Sequence, residues 1–177
     1  MPEESRDRVV KRGFAVQVRT ERVALANGHE VLLDIVAHPG AAAVVPFASE
    51  RDVLLIRQYR HAAGGSLLEV PAGKLEAGEL PERCAARELE EEAGRRAGRL
   101  VPLGSIWTTP GFCDERIHLF AAFDLEPVPR RPQEDEVIEV VETSLEEALE
   151  LVWRGELCDA KSALALLHAA RHLGRLR

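Results

Sequence analysis

Cysteine is scarce and unpaired in this chain: Cys84, Cys113 and Cys158 fall in no CxxC spacing. That argues against a disulfide framework and against a zinc site. The six histidines form no HxH or HExxH pattern, which removes the commonest metalloprotease arrangement. No apolar run approaches the roughly 20 residues that a membrane helix needs. The opening stretch "MPEESRDRVVKRG" has no apolar h-region. The expectation is a cytoplasmic protein without a membrane partner. An excess of basic residues is lacking too. Lys and Arg number 23 against 30 Asp and Glu, a net charge of −7, which argues against nucleic acid as the main partner. Repeats and low-complexity linkers are missing as well. What remains is 177 residues, 46% of them hydrophobic, enough for one domain with one packed core.

The pattern along the chain is β-rich, then mixed. "FAVQVRTERVAL" alternates, "ANGHE" carries an Asn-Gly hairpin signal, and "VLLDIVAH" follows it. "AAAVVPFA" and "DVLLIRQYRH" read as short strands joined by a hairpin at "SERD", and "SLLEVPAG" as one more strand. From Leu80 the pattern becomes helical, with Pro81 in the first turn and Gly94 at the end. Ala85, Leu89 and Ala93 form its buried stripe. "RLVPLGSIW", "RIHLFAAFDLE" and "VIEVVETS" read as strands. Ser144 with Glu147 suggests a capping box for a helix ending at Gly155. A last helix spans about Ala160 to Leu173, capped by Asp159. The order points to an α+β fold with a mixed sheet between helices.

The segment "RELEEE" at 87–92 asks for a reason. Carboxylates three or four apart on a helix repel by a few tenths of a kcal/mol per exposed pair. Glu88 and Glu92 are i, i+4 and share a face; Glu91 lies on the same side, within reach of Arg87. Glu90 points away and reads as solvent-facing. One explanation is a solvated helix face. The other is a hard divalent cation, which takes carboxylate oxygens together with water and substrate phosphates. Gly73 and Gly78 precede the helix in a loop where close backbone approach is easy.

Residues 73–95, "GKLEAGELPERCAARELEEEAGR", resemble the Nudix box, G-x5-E-x7-R-E-U-x-E-E-x-G-U, where U is aliphatic. Gly73, Glu79, Arg87, Glu88, Leu89, Glu91, Glu92 and Gly94 stand in register. Arg95 departs from the pattern, at a position where an aliphatic residue is usual. The resemblance implies an α/β/α sandwich and hydrolysis of a nucleoside diphosphate linked to another moiety, with Mg²⁺ or Mn²⁺. It makes Glu88 and Glu92 the principal metal ligands, and Glu91 a further ligand or water organiser. It adds the carbonyl of Ala72 as a metal ligand. Gly73, Glu79, Arg87 and Gly94 become structural members of the motif.

Beyond the box, "TTPGFCDE" carries Pro110 and Gly111 at the distance that marks the ADP-ribose pyrophosphatase branch of the family. "LIRQYRH" and "VPAGKLEAGE" are similar to that branch as well. An SQPWPFP-like run and the coenzyme A signature of other branches are missing. The resemblance thus implies conversion of ADP-ribose to AMP and ribose 5-phosphate. FAD or a sugar nucleotide such as GDP-mannose is the alternative substrate, and a non-catalytic nucleotide-binding module is the alternative from another class. In this branch a loop corresponding to "PQEDEVIE" folds over the site. Counting places Glu134 as general base and Glu136 as a metal contact, with Asp135 one residue away as the alternative. Arg57, Arg60, Pro110 and Gly111 are the candidate substrate contacts. Tyr59 reads as a core aromatic sooner than an adenine stack, and Cys113 as an inert loop thiol. Residues 1–38 read as N-terminal strands that exchange with a partner subunit in this branch, implying a homodimer. Residues 39–177 read as the Nudix hydrolase domain.

Overall fold

The computed structural model describes residues 8–12, 16–131 and 137–176. Three strands form a separate antiparallel N-terminal sheet, in the order β1 (Arg8–Arg12), β2 (Gln17–Ala24) and β3 (Glu30–Ala37). The Asn-Gly turn joins the last two, with Gly28 at φ 84° in the left-handed region that glycine tolerates. The rest of the chain builds two further sheets. One is mixed and four-stranded, ordered β7 (Ala72–Lys74), β4 (Ala41–Pro46), β9 (Arg116–Pro127) and β8 (Arg95–Trp107). The other is antiparallel, with β5 (Asp52–Arg60) between β10 (Ile138–Ser144) and β6 (Gly65–Glu69).

Strands β4 and β9 run parallel to each other and are buried on both faces, which explains why their sequences lack polar alternation. Ala41, Ala43, Val45, Leu119 and Ala121 face one core, shared with helices α2 (Leu145–Trp153) and α3 (Ala160–His172). Ala42, Val44, Phe120 and Ala122 face a second core under helix α1 (Pro81–Ala93). The result is the expected α/β/α sandwich.

Two strand assignments change. The "SERD" turn closes with Ala48 N–H donating to the Asp52 carbonyl. Yet the strands it joins enter different sheets, paired with each other only through an isolated Phe47–Val53 bridge. A local turn signal reports chain reversal, not which sheet each arm joins. "SLLEVPAG" likewise splits at Val70-Pro71 into β6 and β7, because proline cannot donate to a ladder.

The helix ends follow the sequence closely. Pro81 opens α1 and Gly94 closes it at φ 63°. A Cβ on Gly94 would meet Arg130 Cγ at 2.6 Å and the Val128 carbonyl at 3.0 Å, so this glycine answers both a backbone and a packing demand. Ser144 accepts from Glu147 N–H at α2, and Asp159 accepts from Ser162 N–H at α3. No helix among the described residues is long and apolar enough to cross a membrane.

Candidate active site

The buried stripe of α1 does not stop at apolar side chains. Cys84, Ala85, Leu89 and Ala93 are joined in it by Glu88 and Glu92, which are 5% and 1% exposed. The solvated-face explanation of the acidic run therefore fails for these two residues. Burying two carboxylates costs several kcal/mol unless each is well bonded. Glu92 Oε2 accepts from the Ala72 amide at 2.9 Å, and Glu88 Oε1 accepts from Arg87 Nη1 at 2.6 Å.

Strand β7 runs directly against this pair. A Cβ on Gly73 would fall 1.8 Å from Glu88 Oε1 and 2.1 Å from its Cδ. Only glycine leaves room for the carboxylate there. Arg87 then ties helix and loop together. Its Nε and Nη2 donate to the two oxygens of Glu79, each at 3.0 Å, and Nη2 also reaches the Lys74 carbonyl at 3.1 Å. Nη1 reaches Glu91 at 3.3 Å. Glu79 in turn accepts from the Glu76 amide at 2.9 Å, bracing the loop that carries Gly78.

These bonds to Arg87 and Glu76 hold the Glu79 carboxyl at about 2, well below its ordinary 4.5. Its contribution to stability is complete above pH 4.5 and is lost as pH falls towards 2. Urea midpoints of the wild type and Glu79→Gln should differ clearly at pH 6 and converge towards pH 2. A constant gap would contradict this pairing. Burial, and then the Glu79 charge, pushes the neighbouring Cys84 thiol up to about 12. Iodoacetamide at pH 8 should label exposed Cys158 in the native protein and Cys84 only after unfolding, read by peptide mass spectrometry.

Glu88 and Glu92, with Ala72 and Gly73, line a cleft of about 800 Å³. A second group in its lining is His38, Thr108, Thr109 and Glu115. His38 Nε2 lies 3.4 Å from a Glu115 oxygen, and the Thr108 amide donates to the Glu115 carbonyl. Asp114 anchors this group to the N-terminal sheet, accepting from Arg19 at 2.8 Å and from the His38 amide at 2.7 Å. A third group comprises Gln58, Arg60, Asp159 and Lys161. Arg60 and Lys161 converge on Glu69, which is 1% exposed.

Does a divalent cation suit this floor? Among the described residues, no group of three or more His, Cys, Asp or Glu converges in a metal-holding arrangement. A magnesium-like ion does not need one, since it keeps waters and typically takes one or two carboxylates plus substrate phosphates. The donors at hand are all oxygen: two buried carboxylates one helical turn apart, beside backbone carbonyls, facing an open cleft. Such a set fits a hard cation and does not suit zinc or copper.

Of the residues singled out in the sequence, Ala72, Gly73, Arg87, Glu88, Glu92 and Arg60 all border the cleft. Glu91 lies beside it, paired with Arg87. Arg57 points elsewhere, 46% exposed and 3.6 Å from Glu139. Pro110 and Gly111 are exposed and follow directly on Thr109. Glu134, Asp135 and Glu136 lie outside the described residues. Arg131, the last described residue ahead of them, is held near α1, its amide donating to the Glu91 carbonyl.

Two readings need correction. Glu90 is only partly exposed and bonds Arg96 at 2.8 Å, because β8 returns beside the helix end. Tyr59 is 56% exposed, on the outward face of β5, so it is not a core residue. Sequence reasoning missed Gln58, Glu69, Lys161, His38 and Glu115. Glu69 did leave a signal, as a charge inside the apolar run "SLLEV". Gln58 is 6% exposed and its Oε1 has no hydrogen-bond partner among the described residues.

The arrangement can be set beside known proteins. The NUDIX domain profile matches residues 37–163. An ADP-ribose pyrophosphatase of Bacillus subtilis (strain 168) is 42% identical over 156 residues, covering 87% of this chain and 84% of the relative. A methanol dehydrogenase activator of Bacillus methanolicus is 39% identical over 156 residues, with the same coverage. A GDP-mannose pyrophosphatase of Cronobacter sakazakii is 39% identical over 139 residues, covering 73% and 72%. The crystal structure of an ADP compounds hydrolase superposes with a TM-score of 0.84 at 23% identity, covering 96% of this chain and 94% of that one, which shows a shared fold. The box in register, the buried glutamates beneath its glycine, and a profile match across most of the chain agree: the protein belongs to the NUDIX domain family.

Proposed function

We propose that the protein is a Nudix hydrolase that cleaves the diphosphate of ADP-ribose to AMP and ribose 5-phosphate in the presence of Mg²⁺. The observation that carries this is the Glu88–Glu92 pair, buried against the Gly73 backbone at the floor of an open cleft. Similarity to ADP-ribose pyrophosphatases over most of the chain supports the choice of substrate. Glu88, Glu92 and the Ala72 carbonyl would hold the cation, Mg²⁺ with Mn²⁺ as the alternative, and Glu136 would add a contact. When bound, the cation neutralises the diphosphate and makes phosphorus more open to attack. Glu134, or Asp135 beside it, takes the proton of the attacking water, and Glu91 orients that water. Arg60 binds the diphosphate through its planar fork. Pro110 and Gly111, directly after Thr109 of the cleft lining, contact the rest of the substrate, whereas Arg57 faces Glu139 and is left out of this set.

The wider reading follows the same family logic. Residues 1–38 form an element that exchanges between two subunits of a homodimer, and residues 39–177 form the hydrolase domain. The protein is cytoplasmic, and its charge of −7 disfavours nucleic acid as a partner. Similarity to GDP-mannose pyrophosphatases favours sugar nucleotides as the second substrate class.

A turnover panel with Mg²⁺ tests this, using ADP-ribose, FAD, GDP-mannose and NADH with products identified by chromatography. ADP-ribose should be cleaved fastest, and only with the cation present. Faster cleavage of GDP-mannose or FAD would move the substrate assignment. Tight nucleotide binding without turnover of any would make the protein a binding module.

A further inference from the structure

Glu69 is an unusual residue to find under a cleft that takes anions. It is 1% exposed and sits at the end of β6, opposite Ile56 of β5. Both of its oxygens are engaged. Oε1 accepts from Arg60 Nε at 2.8 Å, and Oε2 accepts from Arg60 Nη2 at 2.8 Å and from Lys161 Nζ at 2.5 Å. Lys161 also donates to Asp159 Oδ2 at 2.9 Å, the oxygen that caps α3. Ser162 closes the circuit, accepting from the Val70 amide at 2.8 Å next to Glu69 itself. The neighbouring strands β5 and β6 and the distant helix α3 thus meet on one buried carboxylate.

A purely architectural role explains this poorly. Buried ion pairs rarely stabilise more than apolar residues of similar volume, because desolvating the charges offsets their attraction. Here the network also holds its two cations at the cleft. Arg60 and Lys161 both line it, and the Arg60 side chain keeps 41% exposure despite a bidentate bond to Glu69. The long, flexible side chains of Arg and Lys lose conformational freedom on binding an anion. A carboxylate that fixes both in advance lowers that cost.

We infer that Glu69 is a positioning residue: it holds Arg60 and Lys161 at the cleft as a preformed site for the diphosphate. This rests on the reading of the cleft as a nucleoside diphosphate site. Glu69 acts on binding and leaves the reacting atoms to the α1 side of the cleft. Its removal therefore weakens substrate binding more than it slows chemistry.

The test compares full-length wild type with Glu69→Gln, folding being checked by circular dichroism. KM for ADP-ribose should rise about tenfold or more while kcat stays within about threefold, the signature of lost ground-state binding. Calorimetric affinity for inorganic pyrophosphate with Mg²⁺ should fall by a similar factor, and it is read without turnover. An unchanged pyrophosphate affinity, or a fall in kcat at constant KM, overturns the inference. Pyrophosphate binding weakened in a protein that cleaves none of the panel would retain Glu69's role and reject the hydrolase reading. Should Glu69→Gln fail to fold, the charge-balanced Glu69→Gln/Lys161→Met protein is compared with Lys161→Met alone. Weaker pyrophosphate binding in the double variant supports the role of Glu69, and equal affinity rejects it.

Discussion

Replacing Glu92 with glutamine should lower kcat on ADP-ribose about 10³-fold or more, as expected when a group central to charge stabilisation in the transition state is removed. The change is nearly isosteric, and a glutamine oxygen can still accept from the Ala72 amide, so the fold should survive. What disappears is one of two buried negative charges on one face of α1. The same variant carries a second expectation. A cation that binds only the native state raises Tm with concentration, so millimolar Mg²⁺ should stabilise the wild type and stabilise Glu92→Gln much less. Equal turnover and equal metal response in both proteins would leave the buried Glu92 carboxylate a structural role only, through its bond to the Ala72 amide.

Gly73→Ala should be nearly as damaging, through sterics alone. The added Cβ would stand 1.8 Å from Glu88 Oε1, 2.1 Å from Cδ and 2.7 Å from Oε2. None of these is tolerable, so the carboxylate must swing away or β7 must retreat. A displacement of about 1 Å at a catalytic constellation can cost about 10²-fold in rate, and kcat/KM should fall by at least that much. Gly65→Ala is the control, because nothing lies within 4 Å of its Cβ and its backbone is not left-handed. Wild-type activity in Gly73→Ala would mean that Glu88 works from a position other than the one seen here.

Local features proved the most legible. The ends of α1, α2 and α3 were set by Pro81, Gly94, Ser144 and Asp159, residues whose capping chemistry acts within one helical turn. The spacing of Glu88 and Glu92 carried the site because an i, i+4 pair must share a face wherever the helix packs. The direction of that face was not local. Only the placement of β7 and β4 under α1 shows that both carboxylates are buried while Glu90, two residues away, pairs with Arg96.

Other misjudgements have the same origin. The "SERD" turn reversed the chain as expected, but instead of pairing with each other β4 and β5 each pair with a strand about 76 to 92 residues later in the sequence. Arg57 and Arg60 looked equivalent on paper. Their positions differ by three in a strand, so they occupy opposite faces, one towards Glu139 and the other towards Glu69 and the cleft.

By itself the sequence determined the class of chemistry: oxygen donors at helical spacing behind a glycine turn, in a register that resembles one family. It also determined where each helix begins and ends. The tertiary structure alone decided that Lys161 joins Arg60 in lining the cleft. Lys161 lies 92 residues from Glu69 and Arg60 lies nine away, and no periodicity links the three. Their meeting depends on how α3 docks against the β5–β6 pair, a matter of long-range packing that no local pattern encodes.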